Sequence, residues 1–256
     1  MNFIIVILLA AVQGLTEFLP VSSSGHLAFL SILFGLKPSI FFATVLHMGT
    51  LVAVIIAFWD DIKNLIKGVI EMKSESIKYL GYILFTTLIT GILGIAGRKI
   101  FESSYESILM ISIFWFVTAI VLYILDKVNI RKKEISLWIA FLIGLAQAFA
   151  IFPGISRSGI TLAVALLVGL RKKEALKYVF LISIPAITGA TVLKVKDLNP
   201  QNMIPPVYII TGFLVSALIG YLAIVLLIKL VKQKKLKVFS YYLIPLSLIG
   251  LLIYYG

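Results

Sequence analysis

Ten apolar runs fill most of this sequence, at about residues 1–19, 24–36, 38–59, 79–97, 107–125, 135–152, 155–170, 178–193, 206–228 and 238–255, and the only Asp, Glu, Lys or Arg inside them are Glu17 and Arg157. A chain written this way cannot fold around one core shielded from water. It is 61% hydrophobic and 13% charged over 256 residues, where a soluble domain has about 45–50% apolar and about 25% charged residues. The bilayer must supply part of the solvent. Backbone groups in lipid have to be paired within their own segment, so each run is predicted to be helical. A single membrane domain over residues 1–256 is the expected organisation.

The net charge of +12 is concentrated between the runs, at Lys63–Lys78, Arg131–Lys133, Arg171–Lys177 and Lys229–Lys237. Short basic connections of this kind hold loops in the cytoplasm. They do not make a nucleic-acid face, and no nucleic-acid partner is expected. The Lys232–Lys237 run would also attract anionic lipid. The absence of cysteine excludes disulfides and thiolate metal sites. The first Lys or Arg is Lys37, so the apolar N-terminus lacks the basic region of a signal peptide and is expected to be retained. The mixed stretch 60–78 reads as an amphipathic connection at the interface. Asp60, Asp61, Glu102 and Glu106 fall at run boundaries and are expected in solvent.

Loop charge also sets the path of the chain. The basic clusters before run 135–152 and after run 155–170 belong on the same side, so the chain between them must enter the membrane and return. Pro153-Gly154 breaks the helix between the two runs, and the second, of 16 residues, is only about 24 Å long. A re-entrant hairpin with its tip at Pro153–Gly159 is predicted. The same reasoning gives residues 1–36 as a second hairpin, entering from outside, with its tip at Pro20–Gly25. Arg98 and Lys99 then lie outside, an exception to the positive-inside rule. The two hairpins align without gaps at an offset of 134: Gln13 with Gln147, Phe18 with Phe152, Ser22 with Ser156, Ser24 with Ser158, Gly25 with Gly159, and Gly35-Leu36-Lys37 with Gly169-Leu170-Arg171. Halves entering from opposite faces form an inverted-topology repeat. The expected fold is all-α and polytopic, with six spanning helices plus two re-entrant helical hairpins, repeat 1 at about 1–126 and repeat 2 at about 135–256.

Polar backbone at membrane depth is tolerated only where protein buries it or a wet cavity meets it. Each tip carries Ser-x-Ser-Gly at the start of a helix, where serine caps and free N–H groups attract anions. Ser22, Ser24, Gly25, Ser156, Ser158 and Gly159 are therefore candidate substrate-binding residues, the glycines allowing close approach of an anion to the backbone. Arg157 adds a permanent cation suited to phosphate oxygens. Glu17 and His26 flank the first serines, and ionisable groups inside a membrane point to function. Together they suit a phosphate-bearing substrate and proton transfer to or from oxygen. Simpler roles stand beside these: Glu17 as a structural partner of Arg157, His26 as a packed or capping group, the serines as caps alone. His47, in an apolar run, is expected to be an interhelical hydrogen-bond donor.

The segment Gln13–His26, QGLTEFLPVSSSGH, together with Pro153–Thr161, PGISRSGIT, resembles the bacterial undecaprenyl-diphosphate phosphatase family associated with bacitracin resistance. The resemblance covers essentially the whole chain. It implies an enzyme of the bacterial cytoplasmic membrane, with its site open to the outer face. That enzyme converts undecaprenyl diphosphate to undecaprenyl phosphate, the lipid carrier of cell-wall sugars. It also implies catalytic roles for Glu17, Ser23, His26 and Arg157, and assistance by Mg²⁺ or Ca²⁺ with Glu17 and Gln13 as the candidate ligands. Gln13 stands at a Glu/Gln position of the family, which puts a two-carboxylate metal site in doubt. The implied partners are a lipid diphosphate and the bilayer; the sequence leaves the oligomeric state open, a homodimer included. Ser23, His26 and water all remain open as the attacking group. Two rival readings compete. An inverted repeat with broken helices also suits a lipid-phosphate carrier. A membrane phosphatase class with PSGH and SR-x-x-x-x-x-H motifs is echoed by Ser24-Gly25-His26 and Ser156-Arg157, but no histidine follows Arg157.

Overall fold

The computed structural model describes residues 2–35, 40–125, 133–195 and 204–256. Their helices are α1 (Phe3–Phe18), α2 (Ser23–Phe34), α3 (Ile40–Ala57), α4 (Trp59–Ile70), α5 (Ser74–Ala96), α6 (Arg98–Ser104), α7 (Ile108–Leu125), α8 (Leu137–Phe149), α9 (Arg157–Leu167), α10 (Lys172–Val195), α11 (Pro206–Lys232) and α12 (Lys237–Tyr255). Among the described residues, β structure is limited to an isolated bridge between Lys133 and Leu170. The regions around Lys37 and Arg131–Lys132, and the Leu36–Lys37 part of the repeat match, lie outside the described residues.

Five helices, α5, α7, α10, α11 and α12, are long and apolar enough to cross a bilayer, and α3 joins them when taken with α4. Large apolar side chains repeat every fourth residue on their outer faces: Leu84, Leu88 and Ile92 on α5, and Leu214, Leu218 and Leu222 on α11, all more than half exposed. Only lipid covers such stripes at little cost. The protein is an all-α polytopic membrane protein.

The chain bends by 73° between α3 and α4. Helix α4 turns Ile62, Leu65 and Val69 toward the protein, while Trp59, Ile66 and Ile70 form an exposed apolar stripe beside Lys63 and Lys67. Three faces of this kind fit a helix lying along the membrane surface. Asp61 keeps 36% of its side chain exposed, as expected of a boundary residue, and also makes an ion pair. Its carboxylate meets Lys177 Nζ at 3.3 Å and ties α4 to the first turns of α10, a helix that starts at Lys172, ahead of the apolar run expected at 178–193.

Four shorter apolar helices make two pairs, α1 with α2 and α8 with α9, of 16, 12, 13 and 11 residues. Proline biases its predecessor away from helix, and α1 ends where Leu19, just before Pro20, turns extended at φ −63°, ψ 143°. Ser22 then begins α2 and Ser156 begins α9, each accepting a hydrogen bond from the glycine three residues on, both at 3.2 Å. The pairs sit in matching surroundings. Helix α1 packs on α11 as α8 packs on α5, α3 packs on α11 as α10 packs on α5, and α7 and α12 pack on each other.

The tips touch. Gly154 N donates to Ser22 Oγ at 3.0 Å, and Ser158 Oγ donates to the Leu19 carbonyl at 3.3 Å. Gly154 is at φ +100°, and a Cβ there would stand 2.5 Å from the Ile111 carbonyl. Both facts demand glycine. Gly154→Ala is expected to lower stability by about 1–3 kcal/mol, read as a fall in the thermal midpoint of the purified protein in detergent; an unchanged midpoint would show that the tip tolerates a side chain.

Candidate active site

Glu17 lies in the last turn of α1 and is buried. The extended step at Leu19 and the turn through Pro20 bring the start of α2 back beside it. Glu17 Oε2 accepts from Ser23 Oγ at 2.7 Å and from Gln13 Nε2 at 2.9 Å. Glu17 Oε1 is bound by Arg157 Nη2, which reaches it from the other tip. The Arg157 guanidinium keeps a second nitrogen, Nη1, buried without a hydrogen-bond partner. A buried donor left without a partner is equipped to take an oxygen from a bound ligand.

His47, expected to be a helix-to-helix donor, stands in this group. Its Nδ1 is 3.0 Å from Gln13 Nε2 and 3.7 Å from Glu17 Oε2. The amide orientation follows from its neighbours: Nε2 has two hydrogens to give, one to the carboxylate and one to the imidazole, whereas a reversed amide would set oxygen against carboxylate. Gln13 Oε1 is left buried and unpaired.

His26 is oriented differently. Its Nδ1 is 2.7 Å from the Ser22 carbonyl and its Nε2 is 2.7 Å from Tyr242 Oη. A carbonyl only accepts, so Nδ1 carries the hydrogen and Nε2 accepts from the phenol. The ring is packed edge-on against Trp115 at 5.1 Å, and Trp115 Nε1 donates to the Val21 carbonyl at 3.2 Å. Both imidazole nitrogens are thus taken, and neither serves Ser23.

The other predicted residues hold the tips together. Ser22 Oγ accepts from two backbone amides, Gly25 and Gly154, and its own backbone is at φ 69°. Left-handed backbone at a non-glycine residue is strained, and here it is fixed from both tips. Ser24 Oγ lies 3.2 Å from Ser22 Oγ, and Ser156 Oγ lies 3.2 Å from Ser158 Oγ. Gly25 and Gly159 face the opposite tip: an added Cβ would meet Gly154 N at 2.9 Å and Pro20 Cβ at 3.0 Å respectively. Thr118, on α7, donates to the Gly154 carbonyl at 3.0 Å and accepts from Ser156 N at 3.2 Å. Ser23, Ser24, Arg157 and His47 keep partial exposure, and Ser22, Ser156 and Ser158 are buried.

Sequence reasoning missed Tyr242, Trp115, Thr118 and Tyr105. The Tyr105 hydroxyl donates to the Ile151 carbonyl at 3.5 Å, just ahead of the second tip. Nothing local marks these positions, because each acts across a large gap in sequence. His47 did carry a signal, an ionisable group in an apolar run.

This is a polytopic membrane protein whose broken helices hold a serine, a carboxylate and an arginine in hydrogen-bonded sequence deep in the fold. Residues 6–249 match the family described as Bacitracin resistance protein BacA, and the chain belongs to that family. It is 43% identical over 246 residues to an undecaprenyl-diphosphatase of Thermosipho africanus, covering 95% of this chain and 97% of the relative. A protein of the same name from Methanosphaera stadtmanae is 39% identical over 266 residues, covering 96% of each. Another, from Alkaliphilus metalliredigens, is 43% identical over 255 residues, covering 92% and 93%.

Removing one partner of a buried ion pair costs about 3–5 kcal/mol, whereas replacing both with apolar groups is often neutral. Glu17→Ala is therefore expected to lower the thermal midpoint in detergent more than the double variant Glu17→Leu/Arg157→Met does. The opposite order would show that the pair does not hold the tips together.

Proposed function

We propose that the chain is an integral-membrane phosphatase that hydrolyses undecaprenyl diphosphate to undecaprenyl phosphate and inorganic phosphate, returning the lipid carrier to cell-wall synthesis. One observation carries the proposal: Ser23 Oγ donates to Glu17 Oε2 at 2.7 Å while Arg157, bound to the other carboxylate oxygen, keeps a free buried donor. A serine paired with a base, next to an arginine with a donor to spare, suits phosphoryl transfer. The names of the relatives support the same reading.

In the first step, Arg157 Nη1 takes a terminal phosphate oxygen. Ser23 Oγ attacks the terminal phosphorus and gives its proton to Glu17 Oε2. The phosphoanhydride bond breaks, and undecaprenyl phosphate leaves. Water then attacks the phosphoserine, the Ser23–phosphorus bond breaks, and the proton on Glu17 returns to Ser23. Glu17 rather than His26 serves Ser23, since the Ser23 hydroxyl is bound to Glu17 Oε2 at 2.7 Å, whereas the hydrogen bonds of His26 run to Ser22 and Tyr242. Charge neutralisation by Arg157 should provide most of the acceleration.

The residues do not fit a resident Mg²⁺ or Ca²⁺. Glu17 has both oxygens hydrogen-bonded, Gln13 stands where a second carboxylate would, and the buried oxygen left unpaired is an amide one, Gln13 Oε1. Ca²⁺ takes six or more oxygen ligands, and Mg²⁺ held by one or two carboxylates relies on waters and substrate phosphates for the rest, so this cluster offers no cage for either ion without substrate. Calorimetric titration of the substrate-free protein with Mg²⁺ is expected to show no saturating site below about 1 mM, a weak limit for carboxylate-poor sites. A stoichiometric micromolar isotherm would overturn this.

The matched helix partners and the two serine caps support the inverted-repeat reading, with the hairpins entering from opposite faces. The basic loops on either side favour an outside position for the 98–106 connection, and the Tyr105 hydroxyl, reaching from that connection to the Ile151 carbonyl at 3.5 Å, supports a site open to the outer face of the cytoplasmic membrane. The same symmetry suits a lipid-phosphate carrier, which would need the cation but not the Ser23–Glu17 pair. Purified protein in detergent is expected to release phosphate from undecaprenyl diphosphate. Ser23→Ala, Glu17→Gln and Arg157→Ala should each lose at least about 100-fold in kcat/KM, the scale of losing a nucleophile, base or transition-state cation. Lipid flux into proteoliposomes without phosphate release would favour the carrier, and near-normal turnover by Ser23→Ala would exclude that residue as nucleophile.

A further inference from the structure

The last helix reaches the site at one side chain. Tyr242, in the second turn of α12, donates its phenol hydrogen to His26 Nε2 at 2.7 Å, with the two rings 5.7 Å apart and tilted by only 5°. Tyr242 is half exposed, and His26 is buried behind it. The imidazole is pinned at three places: the Ser22 carbonyl at Nδ1, the Trp115 ring on its edge and the phenol at Nε2. The Ser22 carbonyl already fixes the hydrogen on Nδ1. The phenol therefore does something else: it points at the single lone pair through which this histidine can act as a base.

We propose that Tyr242 is a positioning residue for the second chemical step, holding His26 with Nε2 unprotonated until the water that attacks the phosphoserine arrives. This rests on the phosphatase reading given above. In that step the water oxygen bonds to phosphorus while one water proton passes to Nε2, whose lone pair the phenol releases as the water arrives. The Ser23 Oγ–phosphorus bond breaks, and Oγ recovers the proton that Glu17 took in the first step. The proton on His26 leaves with the phosphate or to solvent, and the phenol rebinds Nε2. The two steps thus use different bases, Glu17 for attack by serine and His26 for attack by water. This division explains why His26 lies near the serines yet is turned away from the Ser23–Glu17 bond. It also gives α12 a part in the reaction, although its other contacts at this level, Ser240 with the Ala119 carbonyl and Ser247 with the Ser112 carbonyl, only tie it to α7.

Tyr242→Phe keeps the ring and removes the hydroxyl. Its kcat is expected to fall about 10- to 100-fold, the usual effect of losing a group that orients a working residue, with KM nearly unchanged. Rapid acid quench with labelled substrate should show phosphoserine accumulating in the variant and not in the parent protein. An equal fall in both steps, or a fall in thermal midpoint with unaltered turnover, would reduce Tyr242 to a packing role. Nitrogen-15 spectroscopy of the unsubstituted resting protein gives a reading independent of turnover. The chain has two histidines, and the signals lost in His26→Gln belong to His26. Nδ1 should carry the hydrogen, and Nε2 should resonate as a bonded acceptor that shifts in Tyr242→Phe. A hydrogen on Nε2, or no shift in the variant, would overturn the proposal. If the parent protein releases no phosphate while these resonances are as described, the phosphatase reading fails and the His26–Tyr242 geometry stands.

Discussion

The ion pair between Glu17 and Arg157 is the contact on which the rest of the architecture depends. Each member alone would be very costly at membrane depth, and each comes from a different broken hairpin. Joining them requires both breaks to lie at matching depth and both tips to approach within backbone contact. The glycines at 25, 154 and 159 serve that approach, since an added Cβ at any of them would meet the opposing tip or the α7 backbone at 3.0 Å or less. Burial then makes the pair chemically useful. With one carboxylate oxygen neutralised by arginine, the other is fixed in place to receive the hydroxyl of Ser23.

Much of this was legible in the sequence because lipid tolerates so few exceptions. A proline and a run of serines inside an apolar stretch have no place in a simple span, so Pro20–Gly25 and Pro153–Gly159 announced themselves as tips. Glu17 and Arg157 were conspicuous for the same reason. The solvent rule that exposes them locally says nothing about partners far away along the chain. Tyr242 resembles any other aromatic in a lipid-facing run, and Thr118 any other small residue on a helix. Their importance comes from packing α7 and α12 against the tips, which depends on side-chain fit rather than on a local pattern. The glycines illustrate the same limit. Their small size was evident, but whether it admitted an anion or the opposite tip depended on geometry.

The two tips share a scaffold and differ in chemistry. Ser22 and Ser156 cap their helices at the same distance, and Ser24 and Ser158 lie equally close to those caps. At the offset of 134, however, Glu17 meets Ile151, Ser23 meets Arg157 and His26 meets Ile160. The shared positions are those that end one helix and begin the next. The divergent positions carry charge, hydroxyl and imidazole. The two helix starts thus meet on matched positions, and the site's one base and one cation stand on unmatched ones.

Strain at Ser22 connects scaffold and chemistry. A non-glycine residue at φ 69° costs free energy that the surrounding contacts must offset. Here the hydroxyl binds the amides of Gly25 and Gly154, and the carbonyl binds both the backbone amide and the Nδ1 of His26. Relaxing that backbone would release the opposite tip and the imidazole together. Ser23 follows immediately, so the same constrained turn sets the direction of its hydroxyl toward Glu17. One strained residue thereby fixes three relations at once: tip to tip, serine to carboxylate and histidine to tyrosine. It does so without supplying a reacting atom of its own.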